Sequence, residues 1–199
     1  MLAIILTALS YLFGSVSSAI IVCKVMGLPD PRSSGSNNPG ATNVLRIGGK
    51  KAAAITLLGD VLKGLIPVLI VKMVSEDAMI VSLAAGAAFL GHLYPVFFGF
   101  RGGKGVATAS GVYLGLSWQL TLVLLGVWLV VAVLFRYSSL AALIAAAVAP
   151  VVVYFLLPGT PYLVLTVVIA ILLFWRHREN IKRLASGSES RIRLGSKKG

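Results

Sequence analysis

The stretch LAIILTALSYLFGSVSSAIIVCKV, Leu2–Val25, carries a single charge, on Lys24 near its end. Because an α-helix rises 1.5 Å per residue, about 20 apolar residues span a hydrocarbon core about 30 Å thick. No cation precedes the stretch, whereas a secretory leader begins with basic residues. Leu2–Val25 therefore predicts a retained first membrane span.

Composition agrees with a chain that resides in lipid. Hydrophobic residues make up 58% of the 199 residues, and the mean hydropathy is +0.95. Eighteen basic residues face six acidic ones, for a net charge of +12, which is typical of partners such as nucleic acid, anionic lipid or phosphorylated ligands. So apolar a chain excludes nucleic acid as the expected partner. Cys23 has no second cysteine for a disulfide, so we expect it to pack against its neighbours.

Six further apolar stretches follow the first along the chain. They cover residues 52–74, 79–98, 106–116, 120–135, 140–157 and 162–175. The stretch at 106–116 would be about 16 Å long as a helix, too short to cross a full bilayer. The sequence thus predicts an all-α polytopic membrane protein with seven transmembrane helices, the fourth of them short, in a single integral membrane domain, 1–199.

The distribution of lysine and arginine predicts an orientation, since cytoplasmic loops carry the excess of positive charge. Seven spans bring most cations to one side, while Lys72 lies beside Glu76 and Asp77 on the other. We therefore expect the N-terminus outside, cytoplasmic loops at about 27–51 and 99–105, and a cytoplasmic tail at 176–199. The cations assigned to the inner side are Arg32, Arg46, Lys50, Lys51, Arg101, Lys104, Arg136, Arg176, Arg178, Lys182, Arg183, Arg191, Arg193, Lys197 and Lys198.

The first polar segment is SSGSNNPGATN, residues 33–43. Small residues let backbone N–H groups approach an anion, and hydroxyl and amide side chains add neutral donors suited to phosphate oxygens. The same composition is also typical of a flexible turn-rich loop, and both interpretations stay open. The candidate binding residues here are Ser34, Gly35, Ser36, Asn38, Gly40, Thr42 and Asn43.

Asp60 and Lys63 lie three residues apart inside the second apolar stretch, so they share a helix face. Ionisable groups at that depth require a partner or a function. The pair either holds the helices together as a mutual ion pair, or Lys63 helps to bind an anion that Asp60 orients.

A third polar segment joins His92 to RGGKG, residues 101–105. If Gly105 begins the short helix, its N–H groups and the charge of Lys104 define an anion site together with Gly102 and Gly103. The spacing does not match a Walker A loop, because Phe98 stands where its first glycine belongs. Alternatively, Arg101 and Lys104 only mark the topology of the chain. For His92 the alternative to a functional role is a histidine that is merely hydrogen-bonded within its helix.

The fourth segment, RHRENIKRL at 176–184, follows the last apolar stretch. If one helix continues through it, Arg176, Asn180 and Arg183 share a stripe, with His177 beside them. A polybasic segment next to a membrane usually binds anionic lipid, which leaves His177 and Asn180 unexplained.

With these four motifs in this order, the chain resembles the bacterial acyl-phosphate:glycerol-3-phosphate acyltransferase family (PlsY-type) over its whole length. Asn37 is a departure, since glycine is expected there, but asparagine tolerates left-handed backbone. The resemblance implies acyl transfer from acyl phosphate to the 1-hydroxyl of sn-glycerol 3-phosphate, giving lysophosphatidic acid and phosphate. It implies a multi-pass protein of the bacterial cytoplasmic membrane, with its site at the cytoplasmic face and without cofactor, metal or obligate protein partner.

The resemblance also implies roles for individual residues. His177, Lys104 and Asn180 are the expected catalytic residues, and Lys104, Arg46 and His177 would hold phosphate. Asn180 and Ser36 would be neutral donors, and the loop amides would contact the acyl phosphate. The hydroxyl proton would go to His177 or to a phosphate oxygen of the substrate. The remaining binding candidates are Asp60, Lys63, His92, Gly102, Gly103, Gly105 and Arg176.

Two other functional classes fit parts of the pattern. A small-anion transporter would use glycine-broken helices and cations, but it would need polar residues on both sides of the membrane. A lipid-alcohol phosphotransferase would hold Mg²⁺ with several carboxylates. The inner side offers Asp30, Asp60, Glu179 and Glu189, which are scattered among cations.

Overall fold

The computed structural model describes residues 1–192, and its regular elements are all helical. The tail cations Arg193, Lys197 and Lys198 lie outside the described residues. The helices are α1 (Leu2–Gly14), α2 (Ser18–Val25), α3 (Ala41–Val74), α4 (Ala78–Leu93), α5 (Val106–Leu116), α6 (Trp118–Phe135), α7 (Ser138–Leu156), α8 (Thr160–Arg176) and α9 (Arg178–Ala185), with a 3₁₀ turn at Val96–Phe98.

The first apolar stretch is broken rather than continuous. Helix α1 ends at Gly14, and Ser17 has an extended backbone with φ −87° and ψ 96° before α2 begins. The N–H of Ser15 donates to the carbonyls of Tyr11 and Leu12, which closes α1. A glycine, a valine and three serines in residues 14–18 supply the small and polar groups that tolerate such a break.

Helix α3 begins much earlier than the apolar pattern predicted. Residues 41–51 were expected to be loop, but they are helical from Ala41, with a break at Gly49, where φ is 75°. Gly40 caps the start, and the N–H groups of Asn43 and Val44 donate to its carbonyl. Thr42, Asn43 and Arg46 therefore lie on a helix. The apolar pattern missed this part of α3 because a helix with an exposed face does not need apolar residues all round.

The predicted count of seven spans is not confirmed. Five of the described helical segments are long and apolar enough to cross a membrane: Leu2–Val25, Ala41–Val74, Ala78–Phe98, Trp118–Phe135 and Ser138–Leu156. Helix α8 has 17 residues and reaches span length only with α9, across a bend of 60°. Helix α5, with 11 residues, is as short as the sequence predicted. The orientation stays a prediction.

Glycines bring α3 and α5 into close contact. A Cβ on Gly111 would collide with the carbonyl oxygen of Val61, and one on Gly64 would collide with that of Thr108. Helices in lipid associate through such small residues because close backbone approach replaces the missing hydrophobic drive. At the end of α5, Lys72 Nζ donates to the carbonyls of Gly115 (3.1 Å) and Leu116 (3.2 Å). A cation at this position also complements the helix dipole.

The chain separates into two compact units, Met1–Trp118 and Gln119–Gly199, and the predicted single domain stays a prediction. Phe89, Leu93 and Val112 are fully buried in the first unit. In the second, Val131, Ala132 and Ala141 form a cluster against which Ile192 packs. Each unit contains some of the predicted site residues.

We expect Gly111→Ala to lower the stability of the protein by about 1–3 kcal/mol, because the added methyl overpacks a backbone contact. The measurement is the thermal unfolding midpoint in detergent. Gly126→Ala is the matched control, since a Cβ there meets nothing within 4 Å and alanine is the better helix former. Equal midpoints for the two variants would contradict the packing described for α3 and α5.

Candidate active site

Asn43 organises the first polar loop. Its side-chain oxygen accepts the N–H of Ser36 at 2.7 Å, and its amide nitrogen donates to the carbonyls of Pro31 (3.0 Å) and Ser34 (2.9 Å). Asn43 is only 1% exposed, so these bonds satisfy a buried amide. The residue predicted to bind substrate thus holds the loop in shape, and any contact of Asn43 with substrate stays a prediction.

Two residues of this loop adopt left-handed backbone. Gly35 has φ 65°, and a Cβ there would collide with the side-chain oxygen of Asn43. Asn37 has φ 56°, which agrees with the expectation that asparagine can stand where glycine was anticipated. Tight turns on both sides of Ser36 leave its side chain exposed, together with those of Thr42 and Arg46. Ser34, Asn38 and Gly40 are half-buried beside them.

The second polar loop lies directly against His92. The N–H of Gly103 donates to the His92 carbonyl at 3.2 Å, and a Cβ on Gly102 would collide with that same carbonyl. Gly105 caps α5 with φ 93°, as the sequence predicted for the start of this helix. Lys104, half-buried, precedes that cap. Backbone N–H groups at the beginning of α5 and a lysine therefore occur together, which is the chemistry of an anion site.

The two loops contact one another within the first unit. A guanidinium nitrogen of Arg32 donates to the Phe98 carbonyl at 3.4 Å, and an ideal Cβ on Gly103 would lie 2.9 Å from the carbonyl oxygen of Pro39. Asp30 accepts from Arg32, and this hydrogen bond holds the pKa of Asp30 below its ordinary value. The structure therefore brings together the motifs at 33–43 and 101–105, which the sequence only placed on the same side of the membrane.

Asp60, Lys63 and His92 form a buried cluster beneath these loops. Lys63 Nζ lies 2.9 Å from Asp60 Oδ1, and His92 Nδ1 lies 3.6 Å from the same oxygen. Lys63 Nζ also donates to the carbonyl of Val16 at 2.9 Å. The mutual ion pair, one of the two interpretations of the sequence, is therefore present. Direct binding of substrate by these residues stays a prediction.

In the second unit, His177 occupies the bend between α8 and α9. Its Nδ1 is 2.8 Å from the Leu173 carbonyl, and its side chain is buried. Because a carbonyl oxygen can only accept, Nδ1 carries a proton, and the neutral ring has its lone pair on Nε2. The shared stripe required one continuous helix, and this condition is not met, since the chain turns by 60° here and leaves Arg176 on α8 and Asn180 on α9.

Glu189, which the sequence offered only as one of four carboxylates scattered among cations, organises this region. Its carboxylate accepts from Ser139 Oγ (2.6 Å), Asn180 Nδ2 (2.7 Å) and Arg183 Nε (2.7 Å). Further along the tail, the N–H of Ile192 donates to the carbonyl of Arg136 at 2.7 Å. Glu189 therefore fixes α9 and the Asn180 amide. A signal was present, since Glu189 is the one acid among the many cations after residue 180.

The predicted site residues thus fall into two groups. The first unit holds both polar loops with Arg46 and Lys104, and the second holds Arg176, His177 and Asn180. Each of the four carboxylates considered for a metal is engaged by a cation: Asp30 by Arg32 (2.6 Å), Asp60 by Lys63 (2.9 Å), Glu179 by Lys182 (3.4 Å) and Glu189 by Arg183 (2.7 Å). Cations, neutral donors and glycine loops suit phosphate better than they suit a divalent metal.

These features define an integral membrane protein of apolar helices with basic, glycine-rich polar loops. Residues 4–187 match the family model described as glycerol-3-phosphate acyltransferase, and the chain belongs to this family. The resemblance inferred from the four motifs is therefore confirmed.

Relatives and solved structures cover nearly the whole chain. A glycerol-3-phosphate acyltransferase of Methylococcus capsulatus is 55% identical over 194 residues, which cover 98% of this chain and 97% of the relative. One from Thioalkalivibrio sulfidiphilus is 56% identical, covering 92% and 90%. The crystal structure of PlsY, an integral membrane glycerol 3-phosphate acyltransferase, in its glycerol 3-phosphate form superimposes with a TM-score of 0.92. It is 42% identical and covers 97% of this chain and 96% of that one.

The environment of Glu189 predicts a pH dependence of stability. Burial raises the pKa of Glu189, but the hydrogen bonds from Ser139, Asn180 and Arg183 and the charge of Arg183 outweigh it and hold the pKa below 4.5. A depressed pKa in the folded state stabilises the protein above pH 4.5, and this stabilisation is lost as the pH falls through the folded-state value. We expect Glu189→Gln to unfold at a lower temperature than wild type at pH 7.

The difference between Glu189→Gln and wild type should shrink as the pH is lowered below 4.5, the ordinary value for this carboxyl. Thermal unfolding midpoints across pH measure it. Glu179→Gln, at the start of α9, is the control, and we expect little effect from it because exposed ion pairs contribute about 0–1 kcal/mol. A difference for Glu189→Gln that stays constant down to strongly acidic pH would overturn this role of the carboxylate.

Proposed function

We propose that this chain transfers a fatty acyl group from acyl phosphate to the 1-hydroxyl of sn-glycerol 3-phosphate, giving lysophosphatidic acid and phosphate. The observation that carries the proposal is the contact between the polar loop at 33–43 and the glycine-rich segment at 101–105, where Gly103 lies against the Pro39 carbonyl, in a chain of this family. Both substrates present phosphate, and the two segments that meet at this contact contain neutral donors and a lysine. The relative PlsY has been solved in glycerol 3-phosphate and lysophosphatidic acid forms.

The chemistry requires positioning more than a protein nucleophile. The substrate hydroxyl oxygen attacks the acyl carbon, the bond between that carbon and the phosphate oxygen breaks, and phosphate leaves. Because an acyl phosphate is already activated, the protein needs chiefly to orient the hydroxyl and to neutralise the phosphate charges. In this proposal Lys104, Arg46 and His177 hold phosphate, Ser36 and Asn180 act as neutral donors, and the amides of the first loop contact the acyl phosphate.

The proton of the attacking hydroxyl has two possible acceptors. One is Nε2 of His177, which carries the lone pair of the neutral ring because Nδ1 donates to the Leu173 carbonyl. The other is a phosphate oxygen of the substrate. Burial and the bond to Leu173 hold the ring in one orientation, and this fixed orientation suits either a base or a phosphate ligand.

The topology proposed with this function has seven spans in a bacterial cytoplasmic membrane, with the N-terminus outside. The two polar loops and α9 would then face the cytoplasm, where soluble glycerol 3-phosphate is available. The acyl chain would lie among apolar helices. In this proposal the reaction requires no metal, no cofactor and no protein partner.

The first test is a comparison of acyl donors with the purified protein and glycerol 3-phosphate. We expect lysophosphatidic acid and phosphate from acyl phosphate, no product from acyl-CoA or acyl carrier protein thioester, and no effect of EDTA. Phosphate flux in liposomes without donor should be absent, since that flux would indicate a transporter. Absence of product with all three donors would contradict the proposal. Product from a thioester alone would show that the acyl donor is the thioester and not acyl phosphate.

The second test uses His177→Asn, because the asparagine amide can still donate to the Leu173 carbonyl but cannot act as a base. We expect KM for glycerol 3-phosphate to rise about tenfold or more, the usual effect of losing a hydrogen bond to a charged group. A KM that is unchanged for both glycerol 3-phosphate and acyl phosphate would remove His177 from phosphate binding. The single-turnover rate at saturation assigns the proton: a loss of about 10²-fold or more assigns it to His177. A retained rate assigns it to the substrate phosphate.

A further inference from the structure

The break in the first span leaves a backbone carbonyl in need of a partner. Between α1 and α2 the helical hydrogen-bond ladder is interrupted, and the Val16 carbonyl accepts instead from Lys63 Nζ at 2.9 Å. An unsatisfied carbonyl at this depth would be costly, because hydrocarbon offers no hydrogen bonds. Lys63 therefore has a structural partner on α1–α2 in addition to Asp60.

Asp60 connects this lysine to α4. The same oxygen, Oδ1, lies 2.9 Å from Lys63 Nζ and 3.6 Å from His92 Nδ1, and the side chains of all three residues are at most 5% exposed. The spacing to the imidazole is longer than a hydrogen bond but close enough for strong electrostatic interaction in a buried place. A carboxylate on this edge of the ring favours a proton on Nδ1 and leaves the lone pair on Nε2.

The opposite edge of the His92 ring faces the glycine-rich loop. An ideal Cβ on Gly103 would collide with His92 Nε2 and would lie 2.8 Å from Cε1. The backbone N–H of Gly103 also donates to the His92 carbonyl at 3.2 Å. The imidazole thus lies between the buried Asp60 carboxylate and the backbone that immediately precedes Lys104.

We propose that Asp60, Lys63 and His92, which the sequence predicted to bind substrate, are instead positioning residues that fix the Gly102–Lys104 backbone through the His92 ring. This inference rests on the proposed function for the role of Lys104. The inference rests on two sets of contacts. The first connects the Val16 carbonyl through Lys63 and Asp60 to His92, and the second is the contact of the His92 ring with Gly103. A pair that only held the helices together would not require the histidine to touch the loop.

The double variant Asp60→Leu/Lys63→Met separates positioning from stability. Each single variant leaves a buried charge unpaired, whereas the double variant removes both charges with side chains of similar shape. The Val16 carbonyl loses its donor in the double variant as it does in Lys63→Met, so the comparison of these two variants isolates the effect of the unpaired charge. We expect the double variant to unfold at a higher temperature than the single variant Lys63→Met. We also expect backbone amides at 99–105 to exchange with deuterium about tenfold faster than in wild type, with KM for glycerol 3-phosphate raised and kcat less affected.

His92 is tested in the same way by His92→Gln and His92→Leu. The Gln amide can reach the position of Nε2, so we expect it to retain more loop protection and a lower KM than Leu. Ser82→Ala, a buried hydroxyl removed from the same helix, is the control and should leave both measurements unchanged. Wild-type exchange at 99–105 in the double variant and in His92→Leu would overturn the proposal.

The two readouts distinguish the failure of this inference from the failure of the proposed function. Hydrogen exchange at 99–105 requires no substrate, so it reports on positioning even if the wild-type protein forms no lysophosphatidic acid. If wild type is active and the loop exchanges as in wild type in every variant, the activity stands and the positioning role is wrong.

Discussion

The interaction on which the rest of the structure depends is the hydrogen bond from Lys63 Nζ to the Val16 carbonyl. Lipid supplies no partner for a broken helix, so the break between α1 and α2 requires a donor from the protein. A buried ammonium then requires a counter-charge, which Asp60 supplies, and Asp60 lies beside His92. The polar loop at 99–105 contacts that histidine. The need to give the Val16 carbonyl a hydrogen-bond donor is in this way connected to the backbone geometry of the loop at 99–105.

The loops themselves consist largely of neutral groups that hold one another in place. Asn43 satisfies three backbone groups of the first loop, and Gly103 fits between His92 and the Pro39 carbonyl. Cations are added to this frame at Arg46 and Lys104. Preorganised donors of this kind would stabilise phosphate charge without rearranging during the reaction, which suits the proposed transfer between two phosphorylated substrates.

Much of this could be predicted from the sequence, and the exceptions have physical causes. Apolar runs identify membrane helices because burial in lipid demands them, but polar surface helices such as 41–48 lack that signal. The order of the motifs identified the family. The break at residues 15–17 depends on Lys63, and one of the three contacts of Glu189 depends on Ser139, each of them far along the chain. Local composition carries no record of such partners.

In the proposed function the cations of the polar loops bind phosphate and do not only orient the chain in the membrane. The most direct measurement is calorimetric binding of glycerol 3-phosphate to Lys104→Gln and Lys51→Gln, since each removes one positive charge from the side of the membrane that is predicted to be cytoplasmic. Lys51 is exposed on α3, whereas Lys104 precedes the cap of α5. We predict that Lys104→Gln weakens binding about tenfold or more while Lys51→Gln leaves it near wild type. Equal affinities for the two variants would contradict the account.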